Sequence, residues 1–331
     1  IGFFLIGGRG HHRVAISWLV GMSLVFYGWW NPAYLGLILS SMIFNYAVGV
    51  ALGLQQQVSR KLILIAGIVF NLTLLGYFKY ANFAIDSLNY AAGTNFTLEK
   101  ILLPLAISFF TFQQIAYLVD AYQGETREYN FLHYCLFVTF FPQLIAGPIV
   151  HHKEMLPQFA NQTIYRVRYE NIVVGLTIFT IGLFKKVALA DNVATFSTPV
   201  FESADAGETI GFLEAWAGAL GYTCQLYFDF SGYADMAIGS ARLFGIRLPI
   251  NFHSPYKSLN ITEFWHRWHI TLSRFLRDYL YIPLGGNRRV KTRRYLNLMI
   301  TMLLGGLWHG AGWTFVIWGG LHGGYLVINH A

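Results

Sequence analysis

Charged residues are scarce in this chain, and cysteine is almost absent. Only 12% of the 331 residues are charged and 55% are hydrophobic, whereas soluble domains carry roughly 25% charged residues. The two cysteines, Cys135 and Cys224, both lie in apolar runs, so neither a disulfide framework nor a CxxC metal site is predicted. The shortage of charge argues against a soluble domain and favours a helical membrane protein with several spans.

Long apolar runs fill most of the sequence. A membrane-spanning helix needs about 20 mostly apolar residues. The predicted spans are 14–30, 33–53, 62–79, 101–121, 131–150, 171–190, 212–240 and 296–328, the last of which could divide near Gly319–Gly320. We therefore expect a single all-α membrane domain over residues 1–331. The chain begins without Met and ends just after an apolar run, so we expect an excerpt that lacks terminal spans.

The few charges are unevenly distributed. Residues 242–294 hold 11 of the 23 lysines and arginines, whereas residues 201–214 hold four acids and no basic residue. The positive-inside rule places the basic segment in the cytoplasm and the acidic segment outside. The span that begins near residue 296 then runs outward. This pattern predicts a multi-pass membrane protein whose basic segment faces the cytoplasm.

Residues 261–280 form an amphipathic pattern. Asn260 and Glu263 have the spacing of a capping box, so a helix is predicted to begin here. Charged side chains collect on one face and apolar ones on the other, which is typical of an in-plane or re-entrant helix. His266 falls at the edge of the polar face and His269 on the apolar flank, so His269 is either a satisfied core histidine or a functional one. No carboxylate or cysteine stands at a supporting spacing, and no metal site is predicted.

A second histidine stands in an uncharged run. Residues 296–327 contain no Lys, Arg, Asp or Glu, yet they include His309. Ionisable groups at bilayer depth are costly and usually functional. His309 lies about 13 residues, or roughly 20 Å, into the predicted span, past the midplane of a roughly 30 Å core. We therefore predict a catalytic imidazole in an intramembrane cavity.

Two carboxylates interrupt the predicted span 212–240. Asp229 and Asp235 would each cost on the order of 3 kcal/mol if they faced lipid. One interpretation is that they orient a histidine or an arginine near the cavity. The other is a structural ion pair with an arginine such as Arg267 or Arg274. The sequence leaves both interpretations open.

Several stretches, taken together and in order, resemble the membrane-bound O-acyltransferase family. The main ones are 263–273 (EFWHRWHITLS), 277–282 (RDYLYI) with 284–287 (LGGN), and 303–310 (LLGGLWHG). Segments 76–83, 144–148 and 225–235 add to the likeness, which extends over nearly the whole chain. The closer likeness is to the bacterial branch that O-acetylates exported polysaccharide, typified by the alginate O-acetyltransferase membrane subunit.

The resemblance implies a fold and a site. The fold would be a ring of tilted transmembrane helices, with re-entrant helices, around a central tunnel that the acyl donor enters from the cytoplasm. His309 matches the family's catalytic histidine, and His269 matches the second histidine of the same tunnel. We expect a further set of side chains to line the tunnel and contact substrate. These are Trp308, Asp229, Asp235, Arg267, Arg277 and Ser273.

The expected activity is acetyl transfer from a cytoplasmic thioester, acetyl-CoA being the expected donor, with His309 as general base. No bound cofactor and no nucleic-acid partner is expected. The acceptor would be an exported polysaccharide such as alginate, or a periplasmic SGNH-type transferase that passes acetyl onward. Other acceptors stay open, namely peptidoglycan, cellulose, and teichoic acid that receives D-alanine. Intramembrane His and Asp also serve proton relays, so a transporter or flippase is the alternative from another class.

Overall fold

The computed structural model describes residues 1–54, 57–125, 130–288 and 290–330, apart from the side chains of residues 57 and 58. Within these ranges the chain is helical and contains no strand. The α-helices are α1 Gly2–Gly7, α2 His12–Trp30, α3 Ala33–Leu54, α4 Gln57–Leu75, α5 Ala81–Ala92, α6 Ile107–Gln123, α7 Phe131–Thr139, α8 Phe141–Leu144, α9 His152–Phe159, α10 Tyr169–Phe184, α11 Asp191–Asp205, α12 Phe212–Leu243, α13 Ile261–Arg267, α14 Ile270–Leu276, α15 Lys291–His309 and α16 Trp313–His330. The prediction of an all-α membrane protein is confirmed.

Three wide π-helical turns extend these helices. Gly76–Tyr80 joins α4 to α5, Lys185–Ala190 joins α10 to α11, and Arg277–Tyr281 follows α14. Short 3₁₀ turns occur at Gln162–Tyr165 and Pro255–Lys257. Turns of the π type often mark functional positions, and two of these three carry lysines.

Among the residues that the structure describes, three helices are long and apolar enough to cross a membrane. They are Ala33–Leu54, Ser59–Ala92 and Tyr169–Asp205. The first matches the predicted span 33–53, and the other two contain the predicted spans 62–79 and 171–190. Both of these are longer than predicted because a π turn carries the helix past the point where the apolar run weakens.

The predicted span 131–150 is wrong. α7 ends at Thr139 after nine residues, or about 13 Å, and a kink at Phe140 separates it from the four-residue α8. Pro142 in the first turn of α8 donates no backbone hydrogen bond, so α7 cannot continue through it. Tyr134, Phe137 and Phe140 are fully buried in the protein core. The segment is apolar because protein covers it, not because it faces lipid.

The last predicted span divides, but not where the sequence suggested. Gly319 and Gly320 lie inside α16, whereas the break falls at Gly310–Gly312. Gly310 is extended and packs against the Phe315 ring so closely that any side chain would collide with it. The chain therefore reverses directly after His309.

α15 and α16 form a tight hairpin. A Cβ on Gly306 would collide with the Phe315 carbonyl oxygen, and a Cβ on Gly319 with that of Met302. Small residues of this kind allow two membrane helices to approach at backbone distance. The hairpin thus brings residues of α16 beside the end of α15.

Candidate active site

The segment predicted as one helix over 261–280 is interrupted. α13 begins as predicted, with the Asn260 side chain accepting from the Glu263 backbone N–H at 2.9 Å, but it ends at Arg267. His269 then adopts φ +41°, the left-handed region that a side chain with a Cβ rarely occupies. α14 starts at Ile270 in a new direction. The single continuous helix is therefore wrong, and His269 lies at the corner between two short ones.

Asn251, which no sequence pattern singled out, stabilises this corner. Its backbone carbonyl accepts from the Ile270 N–H at 2.9 Å. Its side-chain oxygen accepts from the Thr271 backbone N–H at 3.2 Å and from the Thr271 hydroxyl at 2.9 Å. That oxygen also lies 3.1 Å from Nδ1 of His269. Backbone and side chain of one residue thus offset the strain of the left-handed histidine.

The Asn251 contact fixes how His269 carries its proton. Because the oxygen of Asn251 has no proton to give, Nδ1 of His269 must be the donor. The ring is 1% exposed, and burial disfavours its charged form. A neutral ring with its proton on Nδ1 presents Nε2 as an acceptor. This Nε2 is buried and has no hydrogen-bond partner in the part of the chain that the structure describes.

His309 is the last residue of α15. Its ring lies 5.1 Å from the Trp308 ring and 4.9 Å from the Trp318 ring, centroid to centroid. The Trp308 ring lies 6.0 Å from the His269 ring. Trp308 is therefore within ring contact of both histidines, which come from separate elements 40 positions apart.

Lys79 and Tyr80 hold the end of α15 in place, although no sequence pattern gave them this role. The Lys79 ammonium donates to the Ser108 hydroxyl at 3.0 Å and to the Trp308 backbone carbonyl. The Tyr80 hydroxyl donates to the Leu307 carbonyl at 2.7 Å. Carbonyls in the last turn of a helix lack intrahelical partners, and a cation is favourable there. The π turn that carries Lys79 thus anchors the helix end from which His309 projects.

His322 joins this region through the hairpin. On one straight helix, its separation of 13 residues from His309 would aim the two side chains in different directions. In the folded chain the reversal places Trp318 between them, 4.9 Å from His309 and 4.5 Å from His322. A helix break predicted at Gly310–Gly312, rather than at Gly319–Gly320, would have indicated that His309 and His322 lie close together.

Two cavities lie near Trp308 and the α13–α14 segment, and neither His269 nor His309 is among their lining residues. One of about 460 Å³ has almost wholly apolar walls, and Trp308, Tyr80 and Phe275 are part of its lining. The other, of about 280 Å³, is lined in part by Ser273 and Arg277, two of the residues predicted to contact substrate. Trp308 lines the first cavity and also contacts both histidine rings.

The other predicted tunnel residues lie in ion pairs. Asp229 pairs with Lys186 and Asp235 with Lys185, each at 2.6 Å. Of the two interpretations of these aspartates, the ion pair fits the structure, but the partners are lysines rather than Arg267 or Arg274. Both lysines lie on the π turn of the helix that packs along α12. Arg267 pairs with Glu263 one turn earlier in α13 at 2.7 Å. The partner expected for the aspartates, Arg274, instead binds both carboxylate oxygens of Glu154, at 2.7 and 2.9 Å.

Comparison with known proteins gives consistent matches. A model of the MBOAT, membrane-bound O-acyltransferase, family matches residues 121–330. A peptidoglycan O-acetyltransferase of Helicobacter pylori is 51% identical over the whole chain and 67% of its own length. A probable alginate O-acetylase AlgI of Azotobacter vinelandii is 48% identical over 95% of the chain and 63% of its own length. A teichoic acid D-alanyltransferase of Bacillus subtilis is 28% identical over 66% of the chain and 56% of its own length. The chain thus spans about two thirds of the length of the first two relatives.

Proposed function

Because the chain belongs to the membrane-bound O-acyltransferase family, we propose that it transfers acetyl from a cytoplasmic thioester, acetyl-CoA, toward an exported cell-envelope glycan. It would do so as a multi-pass protein of the bacterial inner membrane. The basic segment 242–294 would face the cytoplasm and attract the anionic donor. A dry site between the helices would limit hydrolysis of the thioester.

One observation carries the proposal. Two histidines from separate elements, His309 and His269, share contact with Trp308, and one of them offers a buried nitrogen that is unpartnered among the residues described. A buried acceptor with no partner is costly unless a ligand supplies the hydrogen bond. An acyl acceptor with a hydroxyl group would supply it.

Acyl transfer requires one proton to move from the attacking hydroxyl to His309 and then to the leaving thiolate. Neutral His309 takes the proton of the incoming hydroxyl as its oxygen attacks the thioester carbonyl carbon. The tetrahedral intermediate then collapses, and the carbon–sulfur bond breaks. The imidazolium returns the proton to the departing thiolate, giving an O-acyl ester and a free thiol. His309 ends each cycle neutral.

His269 has a role that follows from its protonation. With the proton on Nδ1, its Nε2 accepts a hydrogen bond and so orients the incoming hydroxyl. With Nδ1 already protonated, donation from Nε2 to the thioester carbonyl oxygen would require a charged ring at a fully buried position. We therefore assign orientation of the nucleophile to His269 and proton removal to His309.

The relatives suggest two acceptors. They are named for peptidoglycan at 51% identity and for alginate at 48%, and both are exported glycans. We propose an acceptor of this class, with alginate and peptidoglycan as the two candidates. Acetyl would pass either directly to the glycan or first to a periplasmic SGNH-type transferase.

The test uses the full-length protein in liposomes with radiolabelled acetyl-CoA. The rate of thioester consumption is compared between wild type, His309→Ala, His269→Ala and the control His11→Ala, which removes an exposed histidine. We expect His309→Ala to lower the rate by about 10²–10⁴-fold, and His11→Ala to leave it unchanged. Alginate and peptidoglycan fragments, each with and without a periplasmic transferase, identify the acceptor.

Two results would count against the proposal. A wild-type rate of thioester consumption by correctly inserted His309→Ala would show that His309 is not the general base. Movement of a labelled glycan across the membrane without acyl transfer would favour the transporter alternative.

A further inference from the structure

A polar cavity of about 410 Å³ lies where α10 begins and α12 ends. Its lining shares no residue with the two cavities described above. Three arginines line it, Arg168, Arg242 and Arg247, together with one carboxylate, Glu170. Three positive charges and one negative charge give these four side chains a formal net charge of +2.

Arg242 is incompletely satisfied in this cavity. Its side chain is only 12% exposed, and its Nε is buried without a hydrogen-bond partner in the described part of the chain. Its Nη2 lies 3.5 Å from Glu170, whose carboxylate also lies 3.7 Å from Arg168. Charge-assisted hydrogen bonds are shorter, about 2.7–2.9 Å. Two guanidinium groups thus share one loosely held carboxylate, so their positive charge is only partly balanced by the described residues.

The backbone of Arg247 is fixed by hydrogen bonds at the edge of the cavity. Gln158 binds the Arg247 backbone at both ends, accepting from its N–H at 2.8 Å and donating to its carbonyl at 3.0 Å. Gly245 adopts φ +78° and turns the chain at the end of α12, so that Arg247 returns to the cavity. The buried side chain of Asn171 adds a neutral polar group. Burial of the Arg242 side chain and the fixed backbone of Arg247 reduce the conformational entropy lost when an anion binds.

We propose that this cavity binds a phosphate group, carried either by an anionic phospholipid or by a soluble phosphate compound. Arginine suits phosphate because its planar fork donates two parallel hydrogen bonds. The lipid source fits the surroundings best. Directly beyond the cavity, α10 exposes Tyr169, Val173 and Leu176, an aromatic residue followed by apolar ones. A headgroup in the cavity would leave its acyl chains along this apolar face, and basic pockets between membrane helices bind anionic lipids in this way.

Lipid binding to the full-length protein tests the proposal. The protein is delipidated in detergent and titrated with phosphatidylglycerol, with zwitterionic phosphatidylcholine, or with inorganic phosphate alone, and bound species are counted by native mass spectrometry. We expect one tightly held phosphatidylglycerol and weaker binding of phosphatidylcholine, because the site carries net positive charge. Displacement of that lipid by inorganic phosphate would assign the site to a soluble source.

Three variants complete the test. Arg242→Gln and Arg168→Gln should each weaken phosphatidylglycerol binding about five- to tenfold, since one cation near an anionic headgroup contributes about that factor. Arg288→Gln, a matched loss of charge in the basic loop outside the cavity, should leave it unchanged. Arg168 is exposed, so its variant folds even if Arg242→Gln does not. Equal binding of both lipids, insensitive to Arg168→Gln and to inorganic phosphate, would overturn the proposal.

Discussion

Asn251 is the residue on which the orientation of His269 depends. Its side-chain oxygen is the acceptor for Nδ1 of His269 and for both donors of Thr271. Without it, buried donors would be left unpaired, at a cost of about 1–3 kcal/mol. The histidine would also be free to exchange the proton between its two nitrogens.

Asn251→Leu should therefore impair catalysis as well as stability. We expect at least a tenfold loss in kcat, because the proton of His269 is no longer held on Nδ1, and a lower Tm in detergent. Thr271→Val is the matched control, since it removes hydrogen bonds from the same corner but leaves His269 paired. A Tm decrease in both variants with equal loss of kcat would contradict the orienting role of Asn251.

Lys79 acts through the helix end that it holds. Replacing it by Met leaves the Trp308 carbonyl and the Ser108 hydroxyl without their cation. A partly buried charge at a helix C-terminus contributes up to about 2 kcal/mol. We expect Lys79→Met to lower kcat about tenfold with little change in KM, because His309 shifts while the donor site stays intact. Partial recovery in Lys79→Arg would support the positioning role, and an unchanged kcat in Lys79→Met would refute it.

Both candidate catalytic histidines could be predicted from the sequence, but the residues that position them could not. His309 stands out because it lies in a run without Lys, Arg, Asp or Glu, and His269 because it falls on an apolar helix flank. Asn251 and Lys79 carry no such local signal. Their contacts are tertiary, and Lys79 reaches a carbonyl 229 positions away.

At the scale of elements, the hairpin of α15 and α16 depends on backbone contact. Gly306 and Gly319 face each other with their backbones touching, so a methyl group at either position would collide with main chain. Backbone atoms cannot move aside as a flexible side chain can. The two helices would have to separate, and His309 lies at the end of one of them.

Gly319→Ala should therefore lower activity and stability together. We expect a loss of about 1–3 kcal/mol, as for overpacking elsewhere, and a lower rate of thioester consumption. Gly324→Ala is the matched control on the same helix, since a Cβ there meets no atom within 4 Å. Thermal unfolding of the two variants, followed by tryptophan fluorescence, compares them. Equal unfolding temperatures would show that the hairpin tolerates a wider spacing.

Element types were predictable from the sequence, whereas breaks within elements were not. The apolar runs correctly indicated helices, but protein rather than lipid covers the run at 131–150. A protein core and a lipid bilayer both favour apolar residues, so the sequence does not distinguish them. The corner at His269 was missed because helix periodicity continues through it. Only the hydrogen bonds of Asn251, from 18 positions earlier, make the left-handed turn favourable.

At the scale of the molecule, buried polar groups connect helices that are distant in sequence. Asn45, Asn71 and Gln114 are fully buried, and their side chains bind one another between α3, α4 and α6. The partly exposed pairs Lys185–Asp235 and Lys186–Asp229 also connect α12 to the long helix Tyr169–Asp205. Replacing one partner of such a pair leaves an uncompensated charge between the helices. Replacing both partners with apolar residues leaves no charge there.

The Lys185–Asp235 pair gives a testable contrast. Asp235→Leu alone should reduce the yield of folded protein, because Lys185 loses its 2.6 Å partner at an insertion cost of about 2.5–3.5 kcal/mol. The double change Lys185→Met with Asp235→Leu should restore the yield. Fluorescence-detected size-exclusion chromatography measures both. A double variant as poor as the single one would mean that the pair serves more than charge balance.

The same ion pairs constrain how the protein is synthesised. Lys185 enters the membrane 50 positions ahead of its carboxylate partner Asp235, and Lys186 also meets its α12 partner only later in the chain. During that interval the apolar helix Tyr169–Asp205 carries lysines that lack their α12 partners. Lys186 still has Asp191 on its own helix, whereas Lys185 alone in lipid would cost about 2.5–3.5 kcal/mol. Release of the two helices together would avoid that cost and so makes the timing of translation relevant to how this fold is reached.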